Sequence, residues 1–148
     1  MVDQNQIKKI IEDGDPVVLI KQAKDVAARL SGGEATRTQT RKLFGRIRQI
    51  EMNWPRDPQD ERYPQELNDA YRDLVLFEPF LAYQTQRHQQ IRPLTDVIQQ
   101  AIPLVGKDRS RLLHLVQFFE AIVAYQVAGG GGDPQGSRPS SRPQNYRR

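Results

Sequence analysis

Phe118 to Tyr125 reads Phe-Phe-Glu-Ala-Ile-Val-Ala-Tyr, and this stretch decides the fold of the chain. At about 100° per residue, its apolar side chains and those of the preceding Leu112 to Val116 surround a helix axis instead of forming one stripe. Such a distribution is typical of a helix that other helices enclose. The stretch therefore predicts the central helix of a helical bundle. Glu120, which interrupts it, is expected to pair with an arginine of a neighbouring helix.

The first half of the chain contains signals for two further helices. Asp15 followed by Pro16 has the order of an N-cap and a first helical residue, and Gly32-Gly33 ends the apolar pattern that follows. A short helix is possible before Asp15. Thr36 and Gln39 have the spacing of a capping box, which predicts a second helix running from there to about Met52.

The second half begins with a proline-containing loop from Asn53 to Pro64. A helix from about Gln65 to Gln90 follows, in which Pro79 is expected to produce a kink or a restart. Pro93 opens the next helix, and Gly106 with Asp108 separates that helix from the last one.

These signals together predict an all-α protein, a single compact bundle of about five helices that spans residues 1–128. No stretch has the alternating pattern of a β-strand. Residues 129–148 are rich in glycine, proline, serine and arginine and lack periodicity, so we expect them to be a disordered tail.

Size and composition narrow the class of protein. With 148 residues the chain has the size of one domain. The sequence has no cysteine, which fits a reducing compartment, and no run of apolar residues long enough to cross a bilayer. We expect a cytoplasmic protein without membrane contact.

Charge is unevenly distributed along the chain, although the net charge is only +4. The segment from Arg29 to Arg48 holds six basic residues and one acid, Glu34. The segment from Arg56 to Glu78 has seven acids and three arginines. We therefore expect one surface that attracts anions and another that repels them.

No catalytic or cofactor-binding pattern is present in the sequence. The two histidines, His88 and His114, fit helix surface or edge positions better than metal sites. Asp57, Asp60 and Glu61 lack the glycine and the ligand spacing of a calcium loop. We therefore expect a protein that is not an enzyme and that needs no metal or cofactor.

The predicted second helix carries the most specific functional signal. With Arg37 at 0°, Arg41 lies at about 40° and Arg48 at about 20°, so these three side chains form a ridge. Lys42 and Arg46 extend the positive charge around the polar half of the helix, and Gly45 beside the ridge leaves room for another backbone. The ridge fits a phosphate chain, but a solvated face with salt bridges to the acidic segment explains it equally well on the residues alone.

Three separate segments resemble one known family. Thr36 to Phe44 contains Arg-Lys before Leu-Phe, Leu74 to Arg87 contains a proline followed by Leu-Ala-Tyr and an arginine, and Phe118 to Tyr125 is the third segment. In this order they resemble the small all-helical subunit of type III-A CRISPR effector complexes, the Csm complexes. The chain departs from the family pattern at Gln84 to Gln86 and at Gln126.

The resemblance implies a non-catalytic subunit of an RNA-guided antiviral defence complex. Several copies would line up as a filament along the guide RNA and target RNA, in contact with other Csm subunits. They would grip phosphates without reading bases. The residues expected to contact RNA are Arg37, Arg41, Lys42, Arg48 and Arg87.

Two other classes of protein are compatible with the residues. Thr36 to Ile50 could serve as the recognition helix of a DNA-binding regulator. Alternatively, the basic ridge could meet an acidic surface in an adaptor that binds only protein. Trp54 in the loop is expected to fix the loop to the core, with base stacking as the alternative.

Overall fold

The computed structural model of the chain describes residues 3–129, where the longest connection between helices is the loop at 54–62. The elements are α1 (Gln4–Ile11), α2 (Pro16–Arg29), α3 (Gly33–Asn53), α4 (Tyr63–Arg87), a 3₁₀ turn (Gln89–Ile91), α5 (Arg92–Val105) and α6 (Arg109–Gly129). No strand occurs in this part of the chain. The predicted all-α bundle is confirmed. The predicted tail at 129–148 lies outside the described residues except for Gly129, and the domain boundary stays a prediction.

The last helix, α6, occupies the centre of the bundle. It packs against α1, α2, α3 and α5. Phe118, Phe119 and Ile122 are fully buried. Gln117 and Glu120 are nevertheless exposed, so the expectation that other helices enclose α6 on every side is wrong along one strip. Glu120 has no ion pair within residues 3–129, because this strip faces solvent and not a neighbouring helix.

The short helix before Asp15 is a full element of the bundle. In α1, Ile7, Ile10 and Ile11 are completely buried, and the Asp3 carboxylate caps the helix by accepting a hydrogen bond from the Asn5 amide at 3.1 Å. A helix of eight residues is too short to be stable alone, so its burial against α2, α5 and α6 stabilises it. This element accounts for six helices where about five were predicted.

Helix α3 begins earlier than the capping-box pattern predicts. Its N-cap is Gly32, which has a left-handed backbone with φ of 99° and supplies no capping side chain. Thr36 is buried within the first turns and does not act as a cap. The helix ends at Asn53, next to Trp54, which is 2% exposed. Trp54 therefore fixes the following loop to the core and is not available for base stacking.

Helix α4 continues through Pro79 without a restart, and it ends at Arg87. Proline has no amide hydrogen, so one backbone carbonyl of the preceding turn lacks its helical donor. Because Pro79 is exposed, water can hydrate that carbonyl. Leu74, Phe77 and Leu81 keep the inner face of the helix packed. The turn into α5 is fixed by a buried hydrogen bond of 2.7 Å from the Thr85 hydroxyl to the Thr95 hydroxyl.

Gly14, between α1 and α2, is tightly packed against α6. Its φ is +65°, and a Cβ atom at this position would lie 2.5 Å from Nε2 of His114. The other ring nitrogen of His114, Nδ1, is 2.7 Å from the Ile11 carbonyl oxygen, so the imidazole ties the end of α1 to α6. His114 thus has a structural contact, and a ring held in this way cannot move aside freely.

Gly14→Ala is expected to lower the free energy of unfolding by about 2 kcal/mol, because a left-handed alanine and the contact with His114 are both unfavourable. Urea unfolding measures this change. Gly33→Ala is the matched control, since Gly33 has φ of +63° and no atom within 4 Å of the added carbon. Equal losses in the two variants would contradict the role of the His114 contact.

Candidate nucleic-acid interface

The basic face of α3 consists of Arg37, Arg41, Lys42, Arg46 and Arg48. Opposite this face, Leu43, Ile47 and Ile50 are buried in the core. Because residues at these spacings share one side of a helix, burying the apolar side turns the basic side outward. The sequence prediction of the helix orientation is therefore confirmed at these positions. Four of the five cations are exposed, and Arg37 is half-buried.

Glu34 contacts two cations of the basic face. Its carboxylate lies 2.9 Å from Arg37 Nη2 and 3.4 Å from Arg41 Nη2. The hydrogen bond from Arg37, followed by the charge of Arg37, holds the pKa of Glu34 below its usual value of 4.5. Glu34 remains mostly exposed, so solvent screens both ion pairs and either guanidinium can exchange to another anion at small cost.

Arg48 at the other end of the face is more firmly held. Its Nε lies 3.4 Å from Glu51, whose side chain is 11% exposed. Arg56 approaches the same carboxylate at 3.9 Å. A carboxylate with so little solvent access needs these cations, so Arg48 is less free to contact a ligand than the ridge pattern in the sequence implies.

Lys42 and Arg46 extend the basic face around α3, and Arg46 contacts α4. Within residues 3–129, Lys42 has no ion pair. The Arg46 guanidinium lies 3.9 Å from the ring centroid of Phe80 on α4, a cation–π contact that orients it but leaves its charge uncompensated. Gly45 between them is exposed, and a Cβ there would contact nothing within 4 Å. The surface is therefore open to a second backbone at this point.

Arg87 lies at the end of α4 and is exposed. Its Nη1 donates a hydrogen bond of 3.2 Å to the Tyr83 hydroxyl. The contact of Arg46 with Phe80, and the closeness of Gly32 to Gln90, show that α3 and α4 run antiparallel. Arg87 is thus level with the first half of α3, on the neighbouring helix.

Three of the five predicted contact residues have carboxylate partners in their own chain: Arg37, Arg41 and Arg48. Sequence reasoning did not include these partners. The face still has five cations against two carboxylates, Glu34 and Glu51, and four of the five cations are exposed. A net positive surface therefore remains along α3.

The opposite charge is concentrated at the far end of α3. A groove of about 600 Å³, the acidic groove, opens between the end of α3, the following loop and the start of α4. The carboxylates that line it belong to Asp57, Asp60, Glu66, Asp69 and Asp73. Asp60 pairs with Arg62, only two residues away. Arg62 donates a hydrogen bond to it at 3.1 Å and lowers the pKa of its carboxyl. The acidic segment therefore does not neutralise the start of the basic face.

Neither a metal-binding cluster nor a membrane-spanning helix is found in the described part of the chain. Residues 3–129 contain no cluster of three or more histidine, aspartate or glutamate side chains arranged to bind a metal. None of the helices there is both long and apolar enough to cross a bilayer. The geometry instead offers a convex basic helix surface, which can bind an extended anion.

The fold and this surface define a small all-α protein with a basic helix on one side and an acidic groove at the end of that helix. The family described as Csm2 Type III-A matches residues 13–131. The chain therefore belongs to this family and is a small subunit of type III-A CRISPR (Csm) effector complexes, as the resemblance of its three segments predicts. No curated protein matches the chain, and no solved structure does.

Proposed function

We propose that the protein is a non-catalytic subunit that assembles in several copies along the guide and target RNA of the Csm complex. The basic face of α3 binds the sugar-phosphate backbone, and Arg87 extends the contact onto α4. The outward charge of this face supports the proposal most directly, because Lys42 and Arg46 have no carboxylate partner in the described chain and Arg41 is only weakly held.

Binding through phosphates is independent of base sequence. Base edges are needed to read sequence, whereas arginine and lysine contacts with phosphate only position the strand. This suits a subunit that must work with any guide. Copies of the chain and the other Csm subunits hold one another on the same RNA, so the effective local concentration, and not one copy's affinity, determines occupancy. Such assembly on RNA takes place in the cytoplasm.

The test compares two unrelated single-stranded RNAs with a duplex DNA of equal length, by fluorescence anisotropy at increasing salt. We expect equal affinity for both RNAs. Four phosphate contacts give a slope of about −2.8 in log affinity against log salt, so a fourfold rise in salt weakens one copy roughly fiftyfold. Sequence-dependent binding to the duplex would indicate a DNA-binding regulator. Binding only to a protein partner would indicate an adaptor.

Glu34→Gln is expected to raise the affinity for single-stranded RNA about two- to fivefold, because it removes one negative charge and frees Arg37 and Arg41. Glu12→Gln, an equal charge change on an exposed residue after α1, is the control. Unchanged affinity in Glu34→Gln would show that the two arginines do not contact RNA.

The ion pairs of Glu34 with Arg37 and Arg41 also predict a pH effect on stability. Since the pKa of Glu34 is lowered, they stabilise the fold above pH 4.5, and this stabilisation is lost as the pH falls.

A further inference from the structure

A second groove opens at the beginning of α3, at the opposite end from the acidic groove. It has a volume of about 420 Å³ and lies between the end of α2, the start of α3 and the end of α6. Sites for small molecules have volumes of about 300–1,000 Å³. Its apolar wall consists of the side chains of Ala27, Ala28 and Leu30. We refer to it as the α2–α3–α6 groove.

Two cations lie at this groove. Lys24 comes from α2, and Arg37 belongs both to the groove and to the basic face of α3. The start of α3 also faces it through Gly33, where a Cβ would meet no atom within 4 Å. Since the N-cap Gly32 provides no side chain, the first amides of α3 have no protein cap. Uncapped amides and two cations favour a phosphate group.

Gln126 places a polar side chain in the groove. It is 6% exposed and lines the groove. Its amide has both donors and an acceptor, so it can form hydrogen bonds with a ligand that enters the groove. The adjacent Tyr125 ring also lines the groove, with Lys24 Nζ 5.4 Å from its centroid.

We propose that the α2–α3–α6 groove binds one nucleotide of the RNA strand, with its phosphate between Lys24 and Arg37 and its base against the apolar wall beside Tyr125 and Gln126. An inorganic anion would leave the apolar wall and the Gln126 amide unused. A nucleotide uses all of these features, because a base has a flat apolar face and an edge with both donors and acceptors. Stacking against apolar walls tolerates every base, so the groove adds affinity without sequence preference.

The position of Arg37 connects the groove to the proposed function, on which this inference rests. A strand that lies along Arg41 and Arg37 reaches the groove at the start of α3. The groove is thus the end of the same path, where one base leaves the strand and enters the protein.

The experiment uses the full-length chain and two strands of equal length, a single-stranded RNA and an abasic strand with the same number of phosphates. Ala28 is exposed and lines the groove, so Ala28→Leu fills the groove without changing charge. Ala82→Leu on α4 is the matched control, because Ala82 is also exposed and lies outside this groove. Urea unfolding of each variant verifies that it is folded.

We expect wild type to bind the base-bearing strand at least about fivefold more tightly than the abasic strand, since stacking contributes about 1–3 kcal/mol per base. Ala28→Leu should remove this difference and leave the salt slope unchanged, and Ala82→Leu should preserve it. Equal binding of both strands by wild type, or a preference that survives in Ala28→Leu, would overturn the groove assignment while leaving the RNA function intact.

A titration with adenosine monophosphate separates the two proposals. In wild type it should shift the NMR signals of the Tyr125 ring and the Gln126 amide, and inorganic phosphate should leave the Gln126 signal in place. If these shifts occur but RNA does not bind, the nucleotide site stands and the proposed RNA function fails. If an excess of adenosine monophosphate produces no such shifts in the wild-type protein, the groove does not bind a nucleotide and the site assignment is wrong.

Discussion

Arg41→Glu/Lys42→Glu is expected to weaken single-stranded RNA binding roughly seventyfold at 50 mM salt. Loss of two phosphate contacts reduces the slope of log affinity against log salt by about 1.4. Between 1 M salt, where this contribution vanishes, and 50 mM salt, that change corresponds to about seventyfold, and repulsion by the new carboxylates adds to it. Both residues are exposed, so the free energy of unfolding should change by less than about 0.5 kcal/mol.

The double variant on α1, Lys8→Glu/Lys9→Glu, provides the control for this experiment. It changes the net charge by the same amount on an exposed pair, but α1 packs against α2, α5 and α6 and not alongside the basic face of α3. Its affinity for RNA should fall much less. Equal losses in both double variants would show that only total charge matters, and the proposed interface would be wrong.

Phe119→Ala is expected to lower the free energy of unfolding by about 3–5 kcal/mol. Phe119 is fully buried, and its ring centroid lies 5.5 Å from that of Phe44 on α3. The truncation therefore removes apolar contact, leaves a cavity and weakens the attachment of α3 to the central helix. Since the free energy of unfolding of a whole domain is only about 5–15 kcal/mol, a large fraction of the variant molecules should unfold at elevated temperature.

Urea unfolding followed by circular dichroism measures the effect of this substitution. Val127→Ala on the same helix is the comparison, because Val127 is 57% exposed and its truncation should cost less than about 0.5 kcal/mol. A loss below about 1 kcal/mol for Phe119→Ala would contradict the central position of α6.

Much of the fold follows from local sequence signals. Asp15 with Pro16, and Asp108 before α6, define helix starts because caps and first-turn prolines act through neighbouring residues only. The start of α3 could not be predicted in this way. Thr36 and Gln39 have the spacing of a capping box, but burial of Thr36 in the tertiary structure prevents it from capping. The left-handed conformation of Gly32 starts the helix instead.

The candidate site, like the fold, has some features that neighbouring residues predict and others that depend on contacts between distant parts of the chain. Helical periodicity alone predicts which side of α3 is basic. The pairing of Arg37 with Glu34 could also have been expected, since residues three apart are neighbours on a helix. The contact of Arg46 with Phe80, and the meeting of Lys24 with Tyr125, join residues far apart in sequence, so no local pattern reveals them. The α2–α3–α6 groove was missed for this reason.

The separation of charge along α3 has a kinetic consequence. This helix of 21 residues is about 30 Å long, with the basic face between Arg37 and Arg48 and the acidic groove at its end. The field of a polyanion consequently attracts the basic face and repels the acidic groove before contact. Encounters begin in a preferred orientation, at a rate that falls as added salt shortens the range of the field.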